Sequence, residues 1–423
     1  MALPARRRVF LSTPAATGAA AVATPPLLTV LQAATLLALL LGLQPVMTDV
    51  YLPALPLIVR EFAAPLSQVQ MTMSALILAF GLMQLVWGPV ADRWGRRPVL
   101  LMALALMAAA SIGAALASSM VWLIFWRMAQ GATLAAATVC SRAIVRDLYE
   151  PHQGAHVMAL ALSGLGLVAI ASPLAGGLLA GAFGWRACLT AVGVCAAIAW
   201  FTVAWRLPET LAARNPRALH GRTLMRNAGI VLANPTFRAW ALLVAGTYAG
   251  LFILLSASSY AYTGVLGFSS VQYGMAMAWG SFIYVLGTFV CRRWLRLHGL
   301  VGTVHRGAFF TLAGGLGMAA CAFIAAPPWP AVLFVHSLYA FGHGMHQPCG
   351  QAGAVGPFPQ MAGVASALAG CVLALVAFAV GLWLGSALDG TLRPLGIGMA
   401  IAACATATVA WTLVRWHGEA RLR

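Results

Sequence analysis

Apolar stretches of about 20 residues recur from residue 27 to residue 415, punctuated by short polar segments rich in Arg, Gly and Pro. As a helix, each such stretch is long enough to cross about 30 Å of hydrocarbon. The pattern predicts twelve spans, over 29–52, 68–91, 98–118, 121–145, 156–180, 186–206, 238–262, 271–292, 306–326, 329–350, 360–388 and 394–415. The longest polar segment, 207–237, carries Pro208, Glu209, Asn215, Pro216, several Arg, Asn234 and Pro235. It divides the spans into two sets of six. The expected organisation is a disordered tail over 1–27, a first half over 28–206, a linker over 207–237, a second half over 238–415 and a tail over 416–423.

Composition excludes a soluble fold. Of the 423 residues, 62% are hydrophobic and 8% charged, with a mean hydropathy of +0.89, whereas an ordinary domain is about a quarter charged. The 25 basic residues are all Arg and outnumber eight acids, for a formal charge of +17. With the N-terminus placed in the cytoplasm, the cytoplasmic segments hold 21 of the 25 Arg and the outside segments three (Arg60, Arg186 and Arg393), while Arg127 falls inside a span. That asymmetry predicts an even number of spans with both termini inside. It points to headgroups rather than nucleic acid, since no basic run is interleaved with stacking aromatics. Without Lys there is no P-loop to drive transport with a nucleotide. Eight Cys without a C-x-x-C pair read as buried free thiols, with no zinc site or disulfide framework. Near the start, Arg7-Arg8-Val9-Phe10-Leu11 is similar to a twin-arginine export signal, but export of this end would invert every loop against the Arg bias.

The sharpest local pattern is Gly88-Pro89-Val90-Ala91-Asp92-Arg93-Trp94-Gly95-Arg96-Arg97-Pro98, a tight loop between the second and third spans. Gly88 is expected to let another backbone approach closely, and Gly95 and Pro98 suit a sharp turn into a helix. Asp92 can accept from Arg93, Arg96 or a helix N-terminus. In a twelve-span frame this loop resembles the signature loop of the major facilitator superfamily. Four further stretches resemble its Bcr/CflA group of drug:proton antiporters, relatives of bicyclomycin and chloramphenicol exporters. They are Met47-Thr48-Asp49-Val50-Tyr51-Leu52-Pro53-Ala54-Leu55-Pro56, Arg127-Met128-Ala129-Gln130-Gly131 continuing to Ser141-Arg142-Ala143-Ile144-Val145-Arg146-Asp147, Ser172-Pro173-Leu174-Ala175-Gly176-Gly177, and Ala362-Gly363-Val364-Ala365-Ser366-Ala367-Leu368. Ser172 stands where the exporter motif usually has Gly, so the bend in that helix rests on Pro173, Gly176 and Gly177. The second half carries only a charged remnant of the loop, in Arg292, Arg293 and Arg296. The resemblance implies an all-α membrane protein with 12 transmembrane helices in two six-helix halves, the major facilitator fold, and a proton-coupled efflux transporter of the cell inner membrane.

Ionisable residues within spans are functional candidates because an unpaired charge there costs several kcal/mol, and this chain has few. Asp49 is the candidate proton carrier, with an interfacial cap beside Pro53 as the other reading. Arg127 is either a fixed charge biasing Asp49 or a donor to backbone carbonyls. Arg142 and Asp92 are candidates for a cytoplasmic latch with Gly88, Arg93, Gly95, Arg96 and Arg97, although Arg142 would also serve as a headgroup contact. His336, His343 and His346 fall on or near the tenth span. His343 and His346, three apart, share a helix face; packing, proton or substrate contact, and metal binding all stay open, though two His without a third ligand make a poor metal site. Tyr51, Tyr260 and Tyr262 fit rim anchors, and Tyr51, Phe80, Trp87, Gln130, Tyr248 and Phe252 are the candidate cavity lining.

The function expected is therefore alternating-access export of lipophilic or amphipathic compounds in exchange for protons. A same-fold importer or exporter of a neutral metabolite, such as a sugar or nucleoside, is the alternative. The scarcity of charges in the second half favours neutral or cationic cargo over organic anions. No paired carboxylates, metal cluster or nucleophile–base pair argues for an enzyme. No cofactor is implied, and one chain of twelve spans encloses a pathway as a monomer.

Overall fold

The computed structural model describes residues 28–216 and 218–419. The tail 1–27 with its Arg7-Arg8 stretch, Arg217 and residues 420–423 lie outside the described residues. Among the described residues every regular element is helical, as lipid demands of a chain that must satisfy its own backbone polar groups.

The first half runs α1 (Val30–Asp49), α2 (Leu66–Trp94), α3 (Arg96–Ala115), α4 (Met120–Leu148), α5 (Pro151–Phe183) and α6 (Trp185–Arg206). The second begins with α7 (Pro235–Gly264). An unbroken helical stretch, Ser270–Ala322, follows. At 1.5 Å per residue its 53 residues would reach about 80 Å, more than twice a bilayer core. It turns at Gly299, whose φ of 65° only glycine adopts readily, and so makes two spans, α8 before the turn and α9 after it. Then come α10 (Trp329–Val355), α11 (Ala362–Ala387) and α12 (Arg393–Trp411). Twelve long helices result. Among the described residues ten helical stretches are apolar enough to span on composition, Ser270–Ala322 counted once; α10, with its His and Gln residues, is not one of them.

Helix starts follow local chemistry. Thr29 and Gln32 cap each other at the start of α1 (3.0 and 3.3 Å), as Ser269 and Gln272 do at α8 (2.8 and 3.2 Å). The Asn234 side chain accepts from the amides of Thr236 and Phe237 just ahead of α7.

Three expected boundaries need correction. The chain after α1 does not become a loop but a 3₁₀ turn (Leu52–Ala54) and a short helix (Leu55–Phe62), because Pro53 and Pro56 sit where a first helical turn tolerates them. The predicted loop between the eighth and ninth spans is helical on both sides of Gly299, since the Arg, Leu and His there are compatible with helix and no Pro intervenes. The linker holds a helix of its own, Gly221–Ala233.

Within the first half α2 packs on α4, α1 on α5, and α3 on both α4 and α6; in the second, α7 packs on α10, α11 and α12. The most extensive contacts between the halves are α2 with α11 and α5 with α8, and the segment 52–62 also meets α7. Large apolar side chains such as Leu31, Phe183, Phe201, Phe309, Phe334 and Ile401 stay exposed around the outside, where lipid rather than water is the solvent.

Candidate functional site

The chain alternates direction from helix to helix, so the α2–α3 loop, the linker and the start of α11 share one end of the bundle, called here the linker end. Gly95 separates α2 from α3 with a φ of 105°. A Cβ there would also run into the Glu209 carboxylate. Glu209 fills that space: it accepts from the amides of Arg96 (2.9 Å) and Arg97 (3.3 Å) at the start of α3, and from those of Thr210 and Leu211 (3.0 Å each). A carboxylate against exposed helix N–H groups is the favourable sign for the helix dipole. Arg96, 2% exposed, pairs with Asp92 at 2.6 Å and with Asp147 at 3.0 Å. Arg97 donates to the Ala204 carbonyl at 2.9 Å, joining α3 to α6, while Arg93 is exposed.

One expectation about this loop changes. Gly88 is not at a close backbone approach; the nearest atom to an added Cβ is a Val139 methyl at 3.9 Å. Arg142, on α4, crosses to the other half, donating to the Ser366 hydroxyl on α11 and to Gln351 Oε1 on α10 at 3.5 Å.

Between the halves at this end lies a cleft of about 910 Å³. Its lining runs from Gln84 to Asp92 on α2, a depth of about 12 Å. The opposite end is closed. There a Cβ on Gly177 would stand 2.6 Å from the Ser270 carbonyl, and one on Gly274 2.6 Å from that of Pro173, so α5 and α8 touch backbone to backbone. Gly176 likewise abuts the Val50 backbone. Ser172 returns its hydroxyl to the Val168 carbonyl (2.7 Å) inside α5, one residue before Pro173. At that same end Gly385 of α11 meets Ser67 of α2.

On α4, about two turns in from the closed end, lies Arg127, with no exposed surface. It donates to the Met47 carbonyl (3.2 Å), to Gln130 Oε1 (2.9 Å) and to the Met73 sulfur (3.4 Å), and its guanidinium lies 4.1 Å from the centre of the Tyr51 ring. Gln130 passes the network to Ser111 (2.8 Å) and Tyr51 passes it to Thr72 (2.9 Å), tying α1, α2, α3 and α4 together. None of the three ion pairs among the described residues includes Arg127. Asp49 ends α1 and accepts from its neighbour Thr48 at 2.7 Å. It is partly accessible, whereas the buried Arg127 guanidinium is bonded wholly within the first half.

The three His of α10 are buried. His343 meets Thr247 (3.0 Å) beside Tyr248 and Tyr284, whereas His346 donates from Nε2 to the Val304 carbonyl (3.2 Å) and accepts from Thr311 (3.3 Å). The two side chains, three apart in sequence, turn to different partners. His336 meets Tyr262 at 3.2 Å. Among the described residues no group of three His, Cys, Asp or Glu could hold a metal. Outside the spans, hydrogen bonds from Thr391 hold the Asp389 carboxyl below the usual carboxylate range.

The six candidate cavity residues, Tyr51, Phe80, Trp87, Gln130, Tyr248 and Phe252, are all buried and line neither this cleft nor a smaller apolar groove between α1 and α6. Trp87 donates to the Ala132 carbonyl at 2.7 Å. Sequence reasoning missed the capping role of Glu209, whose one signal was an acid in an otherwise basic linker. It also missed Gln70, Ser256 and Ser259, buried polar side chains with atoms that lack a partner, and the buried hydroxyl of the half-buried Tyr260, read as a rim anchor, lacks one as well.

The Major Facilitator Superfamily profile matches residues 37–382. The chain is 31% identical over 345 residues to Multidrug resistance protein D of Escherichia coli (strain K12), covering 79% of this chain and 84% of that protein. It is 26% identical to the Bicyclomycin resistance protein homolog of Haemophilus influenzae, covering 83% and 87%. The structure of the xylose transporter XylE from E. coli, in a partially occluded inward-open conformation, superposes with a TM-score of 0.74 at 16% identity, covering 92% of this chain and 97% of that one.

Proposed function

From its membership of the Major Facilitator Superfamily and, within it, of the Bcr/CflA group, we propose that this chain exports lipophilic or amphipathic drugs from the cytoplasm across the inner membrane in exchange for protons. The carrying observation is the unequal closure of the two ends. Backbone contacts seal α5 against α8 and α2 against α11 at one end, while a cleft opens between the same halves at the other. Rocking the halves about Arg142 and the α2–α11 seam would reverse that asymmetry, which is what alternating access requires. The Arg distribution supports a cytoplasmic linker end with both termini inside. Twelve helices around one pathway support a monomer. No covalent step, cofactor or metal is part of the reading. Likeness to the xylose transporter rests on 16% identity and carries the fold alone, so the neutral-metabolite alternative has no residue behind it.

Roles follow from placement. Asp49 is the proton carrier, Arg127 organises the helices around it, and the Asp92–Arg96–Asp147 group with Glu209 stiffens the linker-end loop. Everted vesicles from an efflux-deficient host, given an imposed pH gradient and a panel that includes chloramphenicol and bicyclomycin, test the function. Uphill accumulation of at least one drug, abolished by a protonophore, is expected. Accumulation of none of them, or accumulation indifferent to the protonophore, would overturn it.

A further inference from the structure

The charge balance of the linker-end cleft narrows the cargo. Its ionisable lining is Asp92, Arg96, Arg142 and Arg146. Asp92 is bound to Arg96 at 2.6 Å, and Arg96 holds Asp147 as a second partner. Arg142 and Arg146, four apart on one face of α4, belong to none of the ion pairs among the described residues. Arg142 reaches into the cleft with neutral acceptors, Ser366 and Gln351, as its partners. Leu85, Val139, Val355 and Leu368 give the cleft an apolar wall beside neutral polar groups such as Gln84. A planar guanidinium beside an apolar wall suits an amphiphile whose polar end accepts hydrogen bonds.

We propose that this cleft is a docking site for amphiphiles with an anionic or strongly hydrogen-bond-accepting head, held by Arg142, and that it disfavours cations. This rests on the export reading and revises the preference for neutral or cationic cargo drawn from composition. A carboxylate or sulfonate binds a guanidinium about twice as strongly as neutral oxygens do. Such a head displaces Ser366 and Gln351 from Arg142, so that docking also releases the link between the halves. The same head chemistry is offered by a soluble drug or by an anionic lipid.

Purified full-length protein in nanodiscs would be titrated with three matched probes, naphthalene-2-sulfonate, naphthalene-2-carboxamide and 2-naphthyltrimethylammonium. The sulfonate is expected to bind about tenfold more tightly than the ammonium, with the carboxamide between them. Arg142→Gln should weaken the sulfonate about tenfold and leave the ammonium unchanged, while Arg142→Lys should keep part of the preference. If Arg142→Gln does not fold, a second readout remains. Gly363 lines the cleft, is exposed and has open space around an added Cβ, so Gly363→Cys should react with a polar maleimide more slowly when sulfonate is bound. Equal affinity for ammonium and sulfonate, no effect of Arg142→Gln, or no protection at Gly363→Cys would each overturn the site. Phosphatidylglycerol in the nanodisc separates the sources: competition with the sulfonate assigns the site to a headgroup, and no competition assigns it to soluble cargo, both supporting the proposed chemistry. Charge-selective binding without drug efflux would remove the export reading alone; efflux without charge selection would remove the docking site alone.

Discussion

Asp49→Asn separates proton coupling from folding. In the structure the carboxylate accepts one side-chain hydrogen bond, from Thr48 at 2.7 Å, and no ion pair includes it among the described residues. Asn offers the same carbonyl oxygen to that hydroxyl in nearly the same volume. The structural loss is the difference between a charge-assisted and a neutral hydrogen bond, about 1 kcal/mol. The functional loss is larger. One proton moving down a gradient of one pH unit supplies about 1.4 kcal/mol, enough for about tenfold uphill accumulation of a neutral drug. An Asn that carries no proton draws nothing from the gradient. Vesicles normalised to folded transporter should therefore show accumulation falling from about tenfold to equality across the membrane, while exchange of labelled for unlabelled drug persists. A cap role beside Pro53 predicts the reverse, with less folded protein but normal coupling in what survives. Uphill efflux at the wild-type level in the Asn variant would remove Asp49 as obligatory carrier and move attention to His343, the α10 histidine beside Tyr248.

Other substitutions probe the linker end. Asp92→Asn should slow transport while leaving drug affinity within about twofold, because Asp92 engages Arg96 rather than the apolar wall; a tenfold loss of affinity at unchanged turnover would contradict that role. Glu209→Gln removes a charge that accepts four amides and should cost about 1–2 kcal/mol, read as a lower thermal midpoint and faster amide exchange at Arg96 and Arg97; unchanged exchange there would show that the cap is dispensable. Single cysteines at residues 207–237 should resist an impermeant thiol reagent in intact cells and react once the membrane is opened, whereas external labelling would overturn the topology.

Much of the fold was legible because lipid imposes one rule on the whole chain: about 20 apolar residues, then a polar break. Where the rule is silent, the reading failed. The stretch 293–305 is polar yet helical, because Gly299 alone provides the reversal and its φ cannot be read from hydropathy. The cavity lining was hard to read for a related reason. When every face of a helix is apolar, periodicity does not say which one meets a neighbour, and Trp87, Gln130 and Phe252 are buried between helices rather than lining the cleft.

Charges were easier to find than to pair. Arg127 and Asp49 were both conspicuous as ionisable residues in apolar runs, and pairing them was a natural electrostatic reading. The structure sends the guanidinium to the Met47 carbonyl and the Tyr51 ring, two residues to either side of Asp49 in sequence. Arg127 therefore fixes the backbone around the acid without neutralising its charge. A direct ion pair would have favoured the ionised carboxylate; the contacts made instead anchor the helix end that carries Asp49. Arg142 shows the converse. Its sequence context marked it as a latch candidate or a headgroup contact, and what distinguishes it, a reach across the cleft to Ser366 and Gln351, depends on residues more than two hundred positions away.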